Sequence, residues 1–241
     1  ARIPAPDVNL HQDHQAAVTY FEEVWAFVED LGPMHNSLKA STLYSLLNHK
    51  RYLGEYDEAL FREYLQYPRM VPYLPRERRE RLQRQGASWV DFRYRPGQRI
   101  VLPPILNEQP LVKDYLMELL QGAPDSSAYN EFFEESWLNA VFAEAKILHG
   151  VGQPEDWAHL LSPGAYRAIL DRVEVNFALQ NPTYVQPGEP VELKVDVKRV
   201  DNLLIKIFEI QTFNYYTTHL QPVDQAVDLD GLTATHERKL D

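Results

Sequence analysis

Two short stretches carry residue types whose spacing could do chemistry. "HQDH" sets His11, Asp13 and His14 together, and two imidazoles three positions apart on a helix can share a zinc ion. "EFFEESW" offers Glu131, Glu134 and Glu135, and neighbouring carboxylates can move protons or hold a metal. Each stretch also has a plainer reading, because acidic residues are favoured at the positive end of a helix dipole. No HExxH, P-loop, GxGxxG or GxSxG occurs. The Glu-x-x-His pairs of a di-metal helix bundle are missing too. No catalytic residue, metal ligand or cofactor is therefore assigned. A triad assembled by folding stays open, since it needs no local motif.

The most distinctive charge feature is a basic segment. Nine arginines (69, 76, 78, 79, 81, 84, 93, 95 and 99) face only Glu77, Glu80 and Asp91, with Tyr73, Trp89, Phe92 and Tyr94 interleaved. The chain as a whole carries -11. Guanidinium groups beside aromatic rings suit phosphate, carboxylate or protein-interface recognition. The same residues could instead pair internally with acidic helices. Arg76, Arg78, Arg79, Arg81, Arg84, Trp89, Arg93 and Tyr94 are the candidate partner-binding residues. Charge reversal at Arg78, Arg79 and Arg81 is the corresponding test. A second aromatic cluster, "FNYYTTH", puts Phe213, Tyr215 and His219 on one face of an expected strand and Tyr216 on the other. Such rings stack on sugars or bases, or simply pack.

These residues must be held by a real core. Hydrophobic residues make up 44% of 241, and aromatic residues 12%, which sets the chain apart from disordered sequences. The acidic balance argues against a general nucleic-acid or anionic-membrane binder. There is no cysteine, so disulfides, thiolate nucleophiles and cysteine-based zinc sites are excluded. No apolar run approaches the roughly 20 residues of a membrane helix. No secretion signal is recognisable at Ala1. The compartment stays open, and the chain is expected to be a piece of something larger.

Up to about Arg172 the apolar residues recur every three or four positions. Ala17, Val18, Phe21, Val24, Trp25 and Val28 predict a helix from near His11 to about Leu31. A second helix is expected from Asn36 to near Gly54 and a third over "YDEALFREYLQY", stopped by Pro68. "PRERRERLQRQG" predicts a short helix, "ASWVDFRYRPGQRIVLPP" an extended segment, and "NEQPLVKDYLMELLQG" a further helix. One long helix is expected from Ala128 to His149, then two short ones that each start with proline. The hairpin near 42–68 resembles a single tetratricopeptide unit through Gly54, Tyr56, Ala59 and Pro68, although no second copy follows.

Then the period changes to two. Val173, Val175, Phe177 and Leu179 alternate with polar residues, as do Val191, Leu193, Val195 and Val197. Pro187-Gly188 marks a tight turn, and Asp201-Asn202 suits a hairpin turn back into "LLIKIFEI". "FNYYTTHL" and "GLTATHERKL" are expected to add two strands. The fold class is α+β: a helical domain over 1–171, then an antiparallel β-sandwich-like module over 172–241. A sandwich typically needs about seven strands and roughly 100 residues, so the module is expected to be cut short at Asp241.

Tyr184, Pro187, Gly188, Val191 to Val197 and Leu204 to Ile210 carry a resemblance to the opening of a macroglobulin-type β-sandwich, as in the α2-macroglobulin superfamily. That resemblance implies a large multidomain protein with an extracytoplasmic location, in which this region is a non-enzymatic scaffold. It departs from the family in lacking the cysteine of the thioester motif and any recognisable bait segment. The expected partners are another protein or further domains of the same chain, with no nucleic acid and no membrane span. Two other classes stay open. One is a hydrolase or metal enzyme with a site between the helical and β parts. The other is a helical-repeat adaptor that binds an acidic protein or peptide.

Overall fold

The computed structural model describes residues 10, 13–97, 102–182, 185–220, 227, 229 and 232–240. Helix α1 spans His14–Val28. Its first turn is fixed by Asp13, whose carboxylate accepts from the Ala16 amide at 2.8 Å. This satisfies one of the amides that a helix start leaves without an intrahelical partner. The apolar stripe of α1 (Val18, Phe21, Val24 and Val28) packs on α2 (Asn36–Tyr52) around Leu46. Helix α3 (Glu58–Gln66) is capped in the same way by Asp57, which accepts from the Leu60 amide at 3.0 Å. A proline precedes α4 (Arg76–Arg84), and Pro110 sits in the first turn of α5 (Gln109–Gln121).

The expected helix from Ala128 to His149 is not one helix. A 3-10 turn covers Ser127–Tyr129, and α6 begins only at Glu135, running to Leu148. The reason lies between them. Phe132 and Phe133 are adjacent and each 1% exposed, and neighbouring helical positions point about 100° apart, so a helix does not bury both rings equally. The chain stays irregular there and both rings enter the core. Short helices α7 (Pro154–Trp157) and α8 (Pro163–Asp171) follow. The main core gathers Leu43, Phe61, Tyr115, Leu116, Phe132 and Phe142 from α2, α3, α5, α6 and the loop before α6.

Lys146 of α6 ties this arrangement to α5. Its side chain is 4% exposed, and Nζ donates to the Gln121 carbonyl at 2.7 Å and the Ala123 carbonyl at 2.6 Å. Both lie at the C-terminal end of α5, where carbonyls lack intrahelical partners. The ammonium also stands over the Phe142 ring at 5.1 Å and the Trp157 ring at 5.7 Å. Burial pushes its pKa below the usual lysine value.

The chain divides into two compact units, 1–171 with 177–195, and 172–176 with 196–241. In the first, Pro187-Gly188 makes the expected turn, with Gly188 at φ +89° and the Glu189 amide bonded to the Gln186 carbonyl. The strand expected from Val191 shortens to β2 (Val195–Lys198). Just before it, the Asn181 side-chain amide brackets the backbone of Lys194, accepting from N and donating to O at 2.7 Å each, and the Lys194 carbonyl also accepts from the Ala178 amide at 3.0 Å.

In the second unit β2 pairs with β1 (Glu174–Phe177), and β3 (Leu203–Ile207) pairs antiparallel with β4 (His236–Leu240). The hairpin expected across Asp201-Asn202 is therefore replaced by two separate ribbons. Alternation fixes which face a side chain takes, not which strand lies beside it. In the β3–β4 ribbon Leu203 faces Leu240, and Ile205 faces Arg238. "FNYYTTHL" is also not a strand; helix α9 covers Thr212–His219. Thr217 and Thr218 donate their hydroxyls back to the Asn214 carbonyl at 3.0 and 2.8 Å, so both hydroxyls find an acceptor within the helix. The architecture is α+β, a helical N-terminal region followed by small antiparallel sheets.

Candidate functional site

The basic segment divides into an inward and an outward arm. The inward arm is led by Arg69, which α3 delivers to the core just past Pro68. Arg69 and Glu108 are each 1% exposed, with Nη1 to Oε1 at 2.5 Å. The Tyr73 hydroxyl donates to the same oxygen at 2.7 Å, and the Tyr64 hydroxyl donates to Oε2. The guanidinium stands 4.9 Å over the Tyr64 ring. Burial opposes the charge on Arg69, but the Glu108 carboxylate outweighs it and raises its pKa. Burial, then the carboxylate, push Tyr64 and Tyr73 far above the ordinary phenol range. The carboxylate thus accepts from both phenols and from the guanidinium, whose Nε has no partner among the described residues. The cluster is a structural knot that ties the segment after α3 to the start of α5.

Arg78, the second inward residue, is 6% exposed. It reaches Glu131 at 3.1 Å, donates to the Leu65 carbonyl at 3.3 Å, and lies 4.7 Å over Phe132. It is therefore placed in the core wall rather than on a contact surface, and its reversal would test the fold. Arg76 pairs with Glu80 at 2.8 Å on the exposed face of α4. Trp89 and Phe92 are half-buried against the main core, and Tyr94 is half-buried beside them. Arg81, Arg84, Arg93 and Arg95 are exposed, Arg79 partly so. Arg99 lies outside the described residues.

The other sequence candidates are dispersed. Glu131 serves Arg78, Glu134 accepts from the Arg76 amide at 3.1 Å, and Glu135 sits in the first turn of α6. His11 lies outside the described residues. Asp13 is the α1 cap. His14 instead meets His49 of α2, Nδ1 to Nδ1 at 2.9 Å, and stacks on Tyr52 at 4.4 Å. Among the described residues no group of three His, Cys, Asp or Glu could hold a metal ion. Phe213 and Tyr216 lie on α9, largely exposed. Sequence reasoning missed both Glu108 and Lys146. Neither sits in a motif, and the partners of Glu108 come from up to 44 positions away.

The His14 contact gives a pH dependence. Burial lowers the His14 pKa below its ordinary 6.5, against a weaker upward pull from Asp13. The unfolded chain therefore takes up its proton first as pH falls. The stability contributed by neutral His14 is present above pH 6.5 and is lost as pH falls through the lowered folded value. The urea midpoint of the wild type is expected to drop between pH 7.5 and 5.5 by more than that of His14→Asn. Equal drops would remove His14 as the cause.

The fold defines the class: a helical domain followed by small antiparallel strand pairs, with its best-formed polar cluster spent on structure. The model of the Actin-binding protein F N-terminal domain matches residues 1–173. That of the AbpF first immunoglobulin-like domain matches residues 203–241. The chain is 27% identical over 223 residues to Actin-binding protein F of Dictyostelium discoideum, covering 92% of this chain and 9% of that protein. No solved structure matches. The chain belongs to the Actin-binding protein F family.

This corrects the macroglobulin resemblance. Leu204 to Ile210 fall within the immunoglobulin-like match, and both kinds of module use short antiparallel strands with alternating apolar residues. The alternation alone cannot separate them. The extracytoplasmic location rested on that resemblance and goes with it. The hairpin of α2 and α3 forms, but it lies inside the family's own N-terminal domain rather than in a tetratricopeptide array.

Proposed function

We propose that this chain is a non-enzymatic protein-interaction region whose partner is actin, made of a helical domain over 1–171 and an immunoglobulin-like module over 172–241. The observation that carries the reading is the match to Actin-binding protein F along 92% of the chain. The buried Arg69–Glu108 knot supports the non-enzymatic part, because the most perturbed polar cluster has a structural use. Among the described residues no helix is long and apolar enough to cross a membrane. The location that goes with this reading is the actin cytoskeleton.

Co-sedimentation tests it. The chain is expected to pellet with actin filaments in a saturable way and to stay in the supernatant without them. A chain that remains in the supernatant with filaments in excess ends the proposal. Raised salt is expected to weaken the binding if exposed charge contributes to it.

A further inference from the structure

Among the described cationic side chains from Lys39 to Lys146, those with no hydrogen-bond or ion-pair partner fall in one local stretch, and Arg167 on α8 is a further exposed cation without one. Between Lys39 and Lys146, Lys50 faces three carboxylates, and Arg51, Arg62, Arg69, Arg76, Arg78 and Lys113 each hold one. Lys39 and Lys146 donate to backbone carbonyls instead. Arg79, Arg81, Arg84, Arg93 and Arg95 form no side-chain hydrogen bond or ion pair among the described residues. All five fall within one 17-residue stretch of the sequence. Glu80 is claimed first by Arg76, with only weaker pulls from Arg84 and Arg79.

This is unexpected in a chain with 35 acidic and 24 basic residues. With carboxylates in excess, arginines left unpaired together need a reason. The elements around them are well held. Arg78 pins α4 to the core through Glu131 and Phe132, and the Val90 amide bonds the Pro68 carbonyl. The Ser37 hydroxyl accepts from the Asp91 amide at 2.9 Å. Arg81, Arg84, Arg93 and Arg95 are exposed on these held segments, while Arg79 is partly buried with its Nε enclosed, and the half-buried rings of Trp89 and Tyr94 lie in the same stretch of sequence. Pre-placed guanidinium groups beside aromatic rings match the composition of protein interfaces.

We propose that the exposed Arg81, Arg84, Arg93 and Arg95 form the docking surface for an acidic protein segment. This rests on the protein-interaction reading above and names the chemistry of its partner. Protein carboxylates are favoured over nucleic acid or anionic lipid. The net charge of -11 repels an extended polyanion as a whole, whereas a short acidic segment meets only the local field.

The test uses the full chain with a short oligomer of polyglutamate as probe, by fluorescence anisotropy at low salt, beside actin co-sedimentation. The triple variant Arg81→Gln, Arg84→Gln, Arg93→Gln is expected to weaken polyglutamate binding about tenfold. Arg167→Gln on exposed α8 is expected to change it little. A second variant, Arg93→Gln with Arg95→Gln, leaves α4 untouched and keeps the test clear of helix loss. Polyglutamate binding that is absent, or unchanged by both variants, overturns the proposal. Tighter binding to RNA or to phosphatidylserine vesicles at the same salt also overturns it. Wild-type chain that binds polyglutamate but does not pellet with filaments leaves this surface standing and ends the actin reading alone. Filament binding that survives both variants places actin elsewhere on the chain.

Discussion

Glu108→Ala is expected to lower the unfolding free energy of the helical unit by about 3–5 kcal/mol. The substitution leaves the Arg69 guanidinium buried at 1% exposure with its carboxylate gone. The hydroxyls of Tyr64 and Tyr73 lose their acceptor at the same time. One carbonyl contact to Arg69 remains, at Leu65 and 3.4 Å, too little to compensate a buried charge. Urea unfolding followed by tryptophan fluorescence reads the loss as a lower midpoint. Arg69→Met with Glu108→Leu removes both charges and is expected to recover most of it, since a well-packed apolar pair often replaces a buried ion pair without loss. A single Glu108→Ala variant within about 1 kcal/mol of wild type would show that water reaches the pair and that the knot is not needed.

Phe61→Ala is expected to cost a similar about 3–5 kcal/mol, by a different cause. Phe61 is fully buried on α3. It stacks on Tyr115 at 4.9 Å and 22°, and its ring centre is 6.2 Å from that of Tyr129. Truncation removes buried apolar surface and leaves a cavity among three helices that are fixed elsewhere, so the site cannot collapse to fill it. Phe27 supplies the comparison. It lies on α1 at 69% exposure, and the same substitution there is expected to stay within about 0.5 kcal/mol. If both variants lose equally, burial is not what sets the difference.

The helices were legible because each carries its own signal. The stripe from Val18 to Val28 marks the buried face of α1, Asn36 opens α2, and Pro68 follows the end of α3. The α+β division was legible from the change of period near Arg172. What failed needed information from elsewhere in the chain. Phe132 and Phe133 fit a helical pattern until both are required in the core. "FNYYTTHL" satisfies either period over eight residues, so its own sequence does not choose between strand and helix. Strand partners were misread because Val191 to Val197 and Leu204 to Ile210 alternate equally well against any neighbour. In the basic segment, composition showed that arginine accumulates there. Only the fold separates Arg69 and Arg78, which face in, from Arg76, Arg81, Arg84, Arg93 and Arg95, which are exposed. Glu108, their most buried counterpart, sits 39 residues from Arg69 with nothing in its local sequence to mark it.

Among the described residues of β1 to β4, none is buried. Two-stranded ribbons with no enclosed side chains are marginal by themselves, whereas the helical unit encloses Phe61, Tyr64, Tyr115 and the Arg69 knot. The chain therefore opens on two scales. The amides of the ribbons are released by small local openings, and those of α2, α3 and α5 only when the whole helical core gives way. A melting curve of this chain reports the helical unit, and the ribbons come and go beneath its notice.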